Sequence, residues 1–289
     1  MHRSQTSLML FVAFLSAPIW AADLSGDSAL EFTRKAVLFG PRPSGSDANM
    51  QLQAYILAQL KACKCQVTED PFRGSTPRGQ IAMKNIIAKF PGTSGRAIAI
   101  TGHFDTKYFP NRKFVGASDG GSSTGLLLEL ARVLTGETRK DDVYLVFFDG
   151  EEAVGEWSDN DKLYGSRHLA QRWKADGTLS KLKGLINVDM IGDRQLNIKQ
   201  ETNSTAGLRQ LVWKVASDLG YQSSFVQQSI EIDDDHMPFL QFSAPALDLI
   251  DFDYAPWHED TDTMDKLSAQ SLQIVGRVVV ESIHRLEKQ

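Results

Sequence analysis

The chain has 289 residues, of which 42% are hydrophobic and 23% charged, an ordinary globular composition. That length can bury one large α/β core and does not by itself demand a second domain. Net charge is −5 with lysines and arginines dispersed, which excludes the basic stripe that nucleic-acid binding requires.

The opening stretch, MHRSQTSLMLFVAFLSAPIWAADLS, carries Arg3, an apolar run from Leu8 to about Trp20, and then small residues. This pattern predicts a secretory signal peptide over 1–21, cleaved after Ala21 or Ala22, because the run is too short for a comfortable membrane span. Residues 22–289 are then expected to form a single exported domain, periplasmic or secreted, monomeric, with no membrane segment after cleavage. Helical spacing of apolar residues predicts helices over 27–39 and 47–62, broken by PRPSGS, where Ser44, Ser46 and Asp47 are capping candidates. The ACKC sequence that follows places Cys63 and Cys65 two apart, and in an exported protein reads as a strained local disulfide without assigned function.

Alternation predicts strands over 65–72 and 80–90, separated by the Gly/Pro-rich loop RGSTPRG. Short apolar runs predict buried strands over 96–102, 141–149, 184–190 and 244–250. Helices are predicted over 120–134, 162–173, 205–220 and 267–286. Strands alternating with helices give an α/β fold, a single domain with a central mixed, mostly parallel sheet flanked by helices on both faces. In such sheets the loops beyond the carboxyl ends of the strands form the ligand crevice. The polar clusters ITGHFD, FFDGEE, INVDMIGD and LIDFDYAPWHED all sit there, far apart in sequence and convergent on the sheet.

His103, Asp105, Asp119, Glu151, Glu152, Asp189 and His258 lie at strand ends or a helix start. Two histidines and several carboxylates are the donor inventory of a catalytic zinc site, which uses three protein ligands and leaves a position open. Glu151 and Glu152 are neighbours, so in extended chain their side chains point in opposite directions. A division into metal ligand and general base follows, although spacing alone leaves open which is which. The Asp233–Asp235 run leaves two readings open, a solvated turn or part of the site. His168 and His236 read as structural, His284 as exposed on the last helix, and Trp213 as helix core.

The segments GHFDTKYF, FVGASDGGSSTGLLLELARVL, FFDGEEAVGEWSDNDKLYGSRHLA, IDDDHMPFL and PWHEDTDTMDKL occur in that order. Together they resemble the zinc-dependent glutaminyl-peptide cyclotransferases (glutaminyl cyclases), within the zinc aminopeptidase-like superfamily, over roughly 38–289. The resemblance implies the zinc exopeptidase-like fold and conversion of N-terminal glutamine of peptides or proteins to pyroglutamate with release of ammonia. It implies Asp119, Glu152 and His258 as ligands of one zinc ion and Glu151 as general acid/base. Asp189 and Asp234 match the acidic residues of the catalytic hydrogen-bond network, and Trp157 and Trp257 match the tryptophans that shape the substrate pocket. His103 matches a second-metal ligand of the aminopeptidases that lies uncoordinated in the cyclases. A two-zinc aminopeptidase is the alternative, with His103, Asp119, Glu152, Asp189 and His258 as ligands. Gly120 departs from both patterns, since aminopeptidases usually carry an acidic or amide residue there and cyclases more often serine. An exported binding protein that lost catalysis is disfavoured, because every proposed metal and base position carries a competent side chain.

Overall fold

The computed structural model describes residues 23–289, so the signal peptide expected at 1–21 lies outside the described residues. Among the described residues no helix is long and apolar enough to cross a membrane. The first two helices, α1 (Gly26–Val37) and α2 (Asp47–Leu60), begin at serine caps: Ser25 Oγ accepts from Ser28 N–H, and Ser46 Oγ from Asn49 N–H. Each cap satisfies a backbone donor that the first helical turn leaves without a partner.

Strands β1 (Gln66–Thr76) and β2 (Gly79–Phe90) pair as an antiparallel hairpin in continuous register to Thr76↔Gly79. The segment RGSTPRG, expected as a loop, is therefore mostly strand, and only Pro77 and Arg78 turn. Thr76 Oγ1 closes the turn by donating to Gly79 O (2.8 Å) and accepting from Arg78 N–H (3.1 Å). Pro71 is tolerated within β1 because that strand is at the sheet edge.

The chain continues through β3 (Ala97–His103), α3 (Gly121–Leu134), β4 (Asp142–Phe148), α4 (Tyr164–Ala175) and β5 (Leu182–Asp189). It then forms β6 (Ile198–Glu201), α5 (Ala206–Asp218), β7 (Phe225–Ile230), α6 (Met237–Leu240), β8 (Ala246–Ile250) and α7 (Ala269–Glu287). The main sheet has the order β1-β2-β4-β3-β5-β8. Strands β4, β3, β5 and β8 run parallel, and the β1–β2 hairpin joins β4 antiparallel. The mixed, mostly parallel sheet of the sequence reading is thus present. A separate parallel pair, β6 with β7, was not foreseen.

Alternate residues of each strand serve opposite faces. Ile98, Ile100, Leu145, Phe147, Leu247 and Leu249 join the cluster that holds α1, α2, α3, α5 and α7. Ala99, Val146, Phe148, Leu185 and Ala246 instead pack with α4 and α6. Each large aliphatic side chain so buried stabilises the fold by about 1.5–3 kcal/mol, which makes the sheet a rigid platform for what projects from its end.

The disulfide expected between Cys63 and Cys65 is absent; both thiols are free. The pair follows α2 in a turn in which Cys65 N–H donates to Cys63 O (2.9 Å). Their sulfurs face the helix-end carbonyls of Gln59 and Leu60, and both pack against the core. His284, expected exposed, is half-exposed on α7, 3.8 Å from Glu281. Trp213 is core as expected, with its indole N–H donating to Val226 O (2.8 Å).

Candidate active site

The carboxyl ends of β3, β4, β5 and β8 face one crevice, and each delivers ligand-type side chains to it. Strand β3 ends in His103, whose Nε2 lies 3.1 Å from Asp189 Oδ1 at the end of β5 and 3.2 Å from Asp119 Oδ1. Asp119 lies just before Gly120, the residue that caps α3. The loop after β8 supplies His258, whose Nε2 lies 3.0 Å from Glu152 Oε1 and 3.4 Å from Asp119 Oδ2. Two overlapping donor sets result, Asp119–Glu152–His258 and His103–Asp119–Asp189, with Asp119 common to both.

These sets fit a divalent cation. Asp119 Oδ2 is buried and accepts no hydrogen bond, as a carboxylate oxygen does when its natural partner is an ion. Four buried acids, Asp119, Glu151, Glu152 and Asp189, face two imidazoles, and the one lysine that approaches them, Lys107, pairs with Glu152 at 3.9 Å, so carboxylate charge remains in excess. Burial pushes the carboxyls of Glu152 and Asp189 up, and neighbouring Asp119 adds to both.

Glu151 and Glu152 separate as the extended-chain argument allowed. Glu152 turns onto His258 and Asp119. The Glu151 carboxylate accepts no hydrogen bond from the described residues and lines a cavity of about 1070 Å³. Burial holds its carboxyl well above the usual range, His103 opposes, and Glu152, Asp234 and Asp235 add to the rise. The cavity is walled by Trp157 and Trp257, each 40% exposed. Trp257 stacks on the His258 ring with centroids 4.3 Å apart, and Phe109 and Phe114 meet that ring edge-on at 5.9 and 5.7 Å. Trp157 Nε1 donates to Asp233 Oδ2 (3.4 Å), and Asp233 pairs with Lys162.

The Asp233–Asp235 run is a solvated turn only at its first residue; Asp234 and Asp235 are buried. Asn187 on β5 explains why the chain turns inward, because its amide donates to Asp234 Oδ2 (3.0 Å) and to Asp248 Oδ1 (3.1 Å). Burial, with Asp189 nearby, pushes the Asp234 carboxyl up to about 6. His236 is structural as expected, beside Glu201, and His168 stacks on Phe72 next to Asp70.

Four residues have roles that the sequence did not reveal. Asp105, a ligand candidate by its position, lies behind the donor sets: its Oδ1 is 3.5 Å from His103 Nδ1, the ring nitrogen turned away from Asp119 and Asp189, and the carboxylate accepts the backbone N–H groups of Glu151 (3.1 Å) and Glu152 (3.3 Å). Arg42 is fully buried and donates to the carbonyls of Phe104 (2.7 Å), Val115, Gly116 (2.8 Å) and Asp119 (3.3 Å). Burial lowers its guanidinium to about 10 against the pull of Asp119, Asp262 and Asp105. Asp262 accepts from the N–H groups of Ser118 (2.8 Å) and Asp119 (3.1 Å) and from the Tyr254 hydroxyl (2.6 Å). Asp149, part of the acidic cluster in the sequence, is a plug under the site that accepts from Ser44, Asn49 and Gln53. Gly120 has its own cause: φ is +74°, and a Cβ there would sit 2.5 Å from Asp105 O and 3.1 Å from the His103 ring.

Residues 85–283 match the profile of peptidase family M28. A glutaminyl-peptide cyclotransferase of Drosophila melanogaster is 30% identical over 268 residues, covering 82% of this chain and 76% of the relative. The crystal structure of an Acidobacteriales bacterium glutaminyl cyclase superposes with a TM-score of 0.89 at 35% identity, covering 99% of each chain. That of Porphyromonas gingivalis glutaminyl cyclase superposes with a TM-score of 0.84 at 29% identity, over 91% of this chain and 99% of that one. The chain belongs to peptidase family M28 and, within it, to the glutaminyl-peptide cyclotransferases.

Proposed function

We propose that the protein converts the N-terminal glutamine of peptides to pyroglutamate, releasing ammonia. The observation that carries this reading is the division between the two glutamates: Glu152 is committed to Asp119 and His258, and Glu151 stands free in a tryptophan-walled cavity. Asp119, Glu152 and His258 would hold one zinc ion, which would supply Lewis acidity to polarise the γ-carbonyl of the bound glutamine.

In the reaction the substrate's α-amine nitrogen bonds to its own side-chain carbonyl carbon, and the bond from that carbon to the amide nitrogen breaks. Glu151 takes a proton from the attacking amine and gives it to the departing nitrogen, which leaves as ammonia. No water is consumed. Trp157 and Trp257 favour the folded-back side chain, and holding amine and carbonyl together removes much of the entropic barrier. Asp189 and Asp234, at the cavity floor, steady the charge of the proton in transit.

A second reading has one observation in its favour. The His103–Asp119–Asp189 set has the composition of a second metal site, as a two-zinc aminopeptidase requires. Metal content and substrate together separate the two: the purified protein is assayed for zinc, for ammonia release from a glutaminyl peptide, and for hydrolysis of leucine amide. One zinc with cyclisation supports the cyclase; two zincs with free leucine overturns it. Residues 1–21 are inferred to direct export, which N-terminal sequencing of the mature protein from periplasm or medium checks.

A further inference from the structure

Two further hollows adjoin the catalytic cavity. One of about 520 Å³ shares Tyr108, Glu152 and Val154 with it. Another of about 600 Å³ shares Met50 and Ala82 with the first. Adjacent through those shared residues, the three hollows form a line, or trough, from Glu152 along the β1–β2 hairpin. The hairpin tip is fixed against the active-site loop, since a Cβ on Gly155 would lie 3.6 Å from Pro77 Cγ. Position 155 lies two residues before Trp157, so the tip borders the wall of the catalytic cavity.

The cations along this trough are unequally partnered. Lys84 pairs with Glu69 (2.6 Å). Arg78 and Arg73 line the two hollows, and among the described residues neither is in an ion pair. Arg78 is held on the two-residue turn by its own N–H to Thr76, and its guanidinium lies 4.0 Å over the Tyr108 ring. Stacking of this kind fixes the plane of the guanidinium and leaves its N–H donors free for a carboxylate. The acids that border the same hollow are occupied: Asp105 by two backbone N–H groups, Glu152 by His258. In a chain with 36 acidic against 31 basic residues, two unpaired arginines lining a trough that opens from the catalytic cavity are a charge pattern awaiting a ligand.

Building on the cyclase reading, we propose that the trough binds the peptide chain downstream of the glutamine, and that Arg78 and then Arg73 select acidic side chains there. An extended peptide advances about 3.3 Å per residue, so Arg78 meets residues close to the glutamine and Arg73 residues several positions further on. The substrates favoured are peptides or proteins in which an N-terminal glutamine is followed by an acidic segment.

The test compares a glutaminyl dipeptide amide with glutaminyl hexapeptides carrying alanine, glutamate or lysine at one downstream position at a time. One exposed charge pair in partial solvent corresponds to about a threefold preference for glutamate over alanine, in KM and weakening with salt. Arg78→Glu is expected to invert the preference near the glutamine, Arg78→Lys to retain it, and Arg73→Glu to alter only the distal positions. All three variants should cyclise the dipeptide amide at the unsubstituted rate. If Arg78→Glu slows acidic, neutral and basic hexapeptides equally, or changes none of them, the proposal is overturned and Arg78 only packs on Tyr108. If the unsubstituted protein does not cyclise the dipeptide amide, the cyclase reading fails first; cyclisation without charge preference refutes the trough alone.

Discussion

Replacing Asp105 by asparagine converts one carboxylate oxygen into an NH2 that faces a backbone N–H. Asp105 is 1% exposed and accepts from Glu151 N–H at 3.1 Å and Glu152 N–H at 3.3 Å, so no water can repair the loss. A hydrogen bond to a charged acceptor is worth about 1.5–3 kcal/mol, and a buried donor left without a partner costs a comparable amount. Allowing for partial relaxation, the expected destabilisation is about 2–4 kcal/mol. At about 2–4 °C per kcal/mol for a domain of this size, the melting temperature should fall by roughly 4–16 °C. Function should suffer more than stability, because the clamp sets the backbone that carries Glu151. Residues that position a catalytic or ligating group typically cost about 10–100-fold when changed, and a misplacement near 1 Å reaches the upper end. The fall should lie in kcat for ammonia release from a glutaminyl peptide, with KM little changed because the tryptophan walls remain. An Asp105→Asn protein with unaltered kcat and melting temperature would refute the clamp.

Glu151→Gln should abolish turnover while zinc stays bound, whereas Asp119→Ala or His258→Ala should lose the metal; metal analysis beside the ammonia assay decides both. Gly120→Ala forces a Cβ to 2.5 Å from Asp105 O in a left-handed conformation, and should lower zinc affinity and activity together. Glu201 gives a pH prediction away from the metal residues. Burial alone would raise its carboxyl, but bonds from His236, the Asn203 N–H and Ser204 outweigh this and bring it to about 2 from 4.5. Because the folded value is depressed, its stabilisation of about 3 kcal/mol is present above pH 4.5 and is lost as pH falls towards 2. The difference in melting temperature between the unsubstituted protein and Glu201→Gln should therefore shrink between pH 5 and about 3; a constant difference counts against the network.

The parallel core was legible because β3, β4, β5 and β8 are buried on both faces and appear in the sequence as short, largely apolar runs. Their carboxyl ends are legible for the same reason, since His103, Glu151, Glu152 and Asp189 interrupt those runs with charge. The β6–β7 pair was not, because these short strands are half exposed and neither alternates cleanly. RGSTPRG misled through its Gly and Pro content, while its pairing partner across the hairpin determined the outcome. Asp105 looks in sequence like a ligand beside the proposed donors, and Asp149 belongs to the same acidic run as Glu151 and Glu152. Only the fold shows that their oxygens are taken by backbone and side-chain donors. Arg42 leaves no pattern at all, because it acts through backbone carbonyls, whose positions no side-chain motif records.

That arginine also bears on where the catalytic unit begins. The span matching the family profile starts at residue 85, and it holds every proposed ligand and the base. Yet Phe104, Gly116 and Asp119 hang their carbonyls on a cation from the segment before α2. A fragment cut to the matched span would keep all its chemistry on paper and lose the strut under its shared ligand. The smallest autonomous piece of this enzyme must reach upstream past Arg42, so its active site is assembled by residues that no inventory of catalytic positions would include.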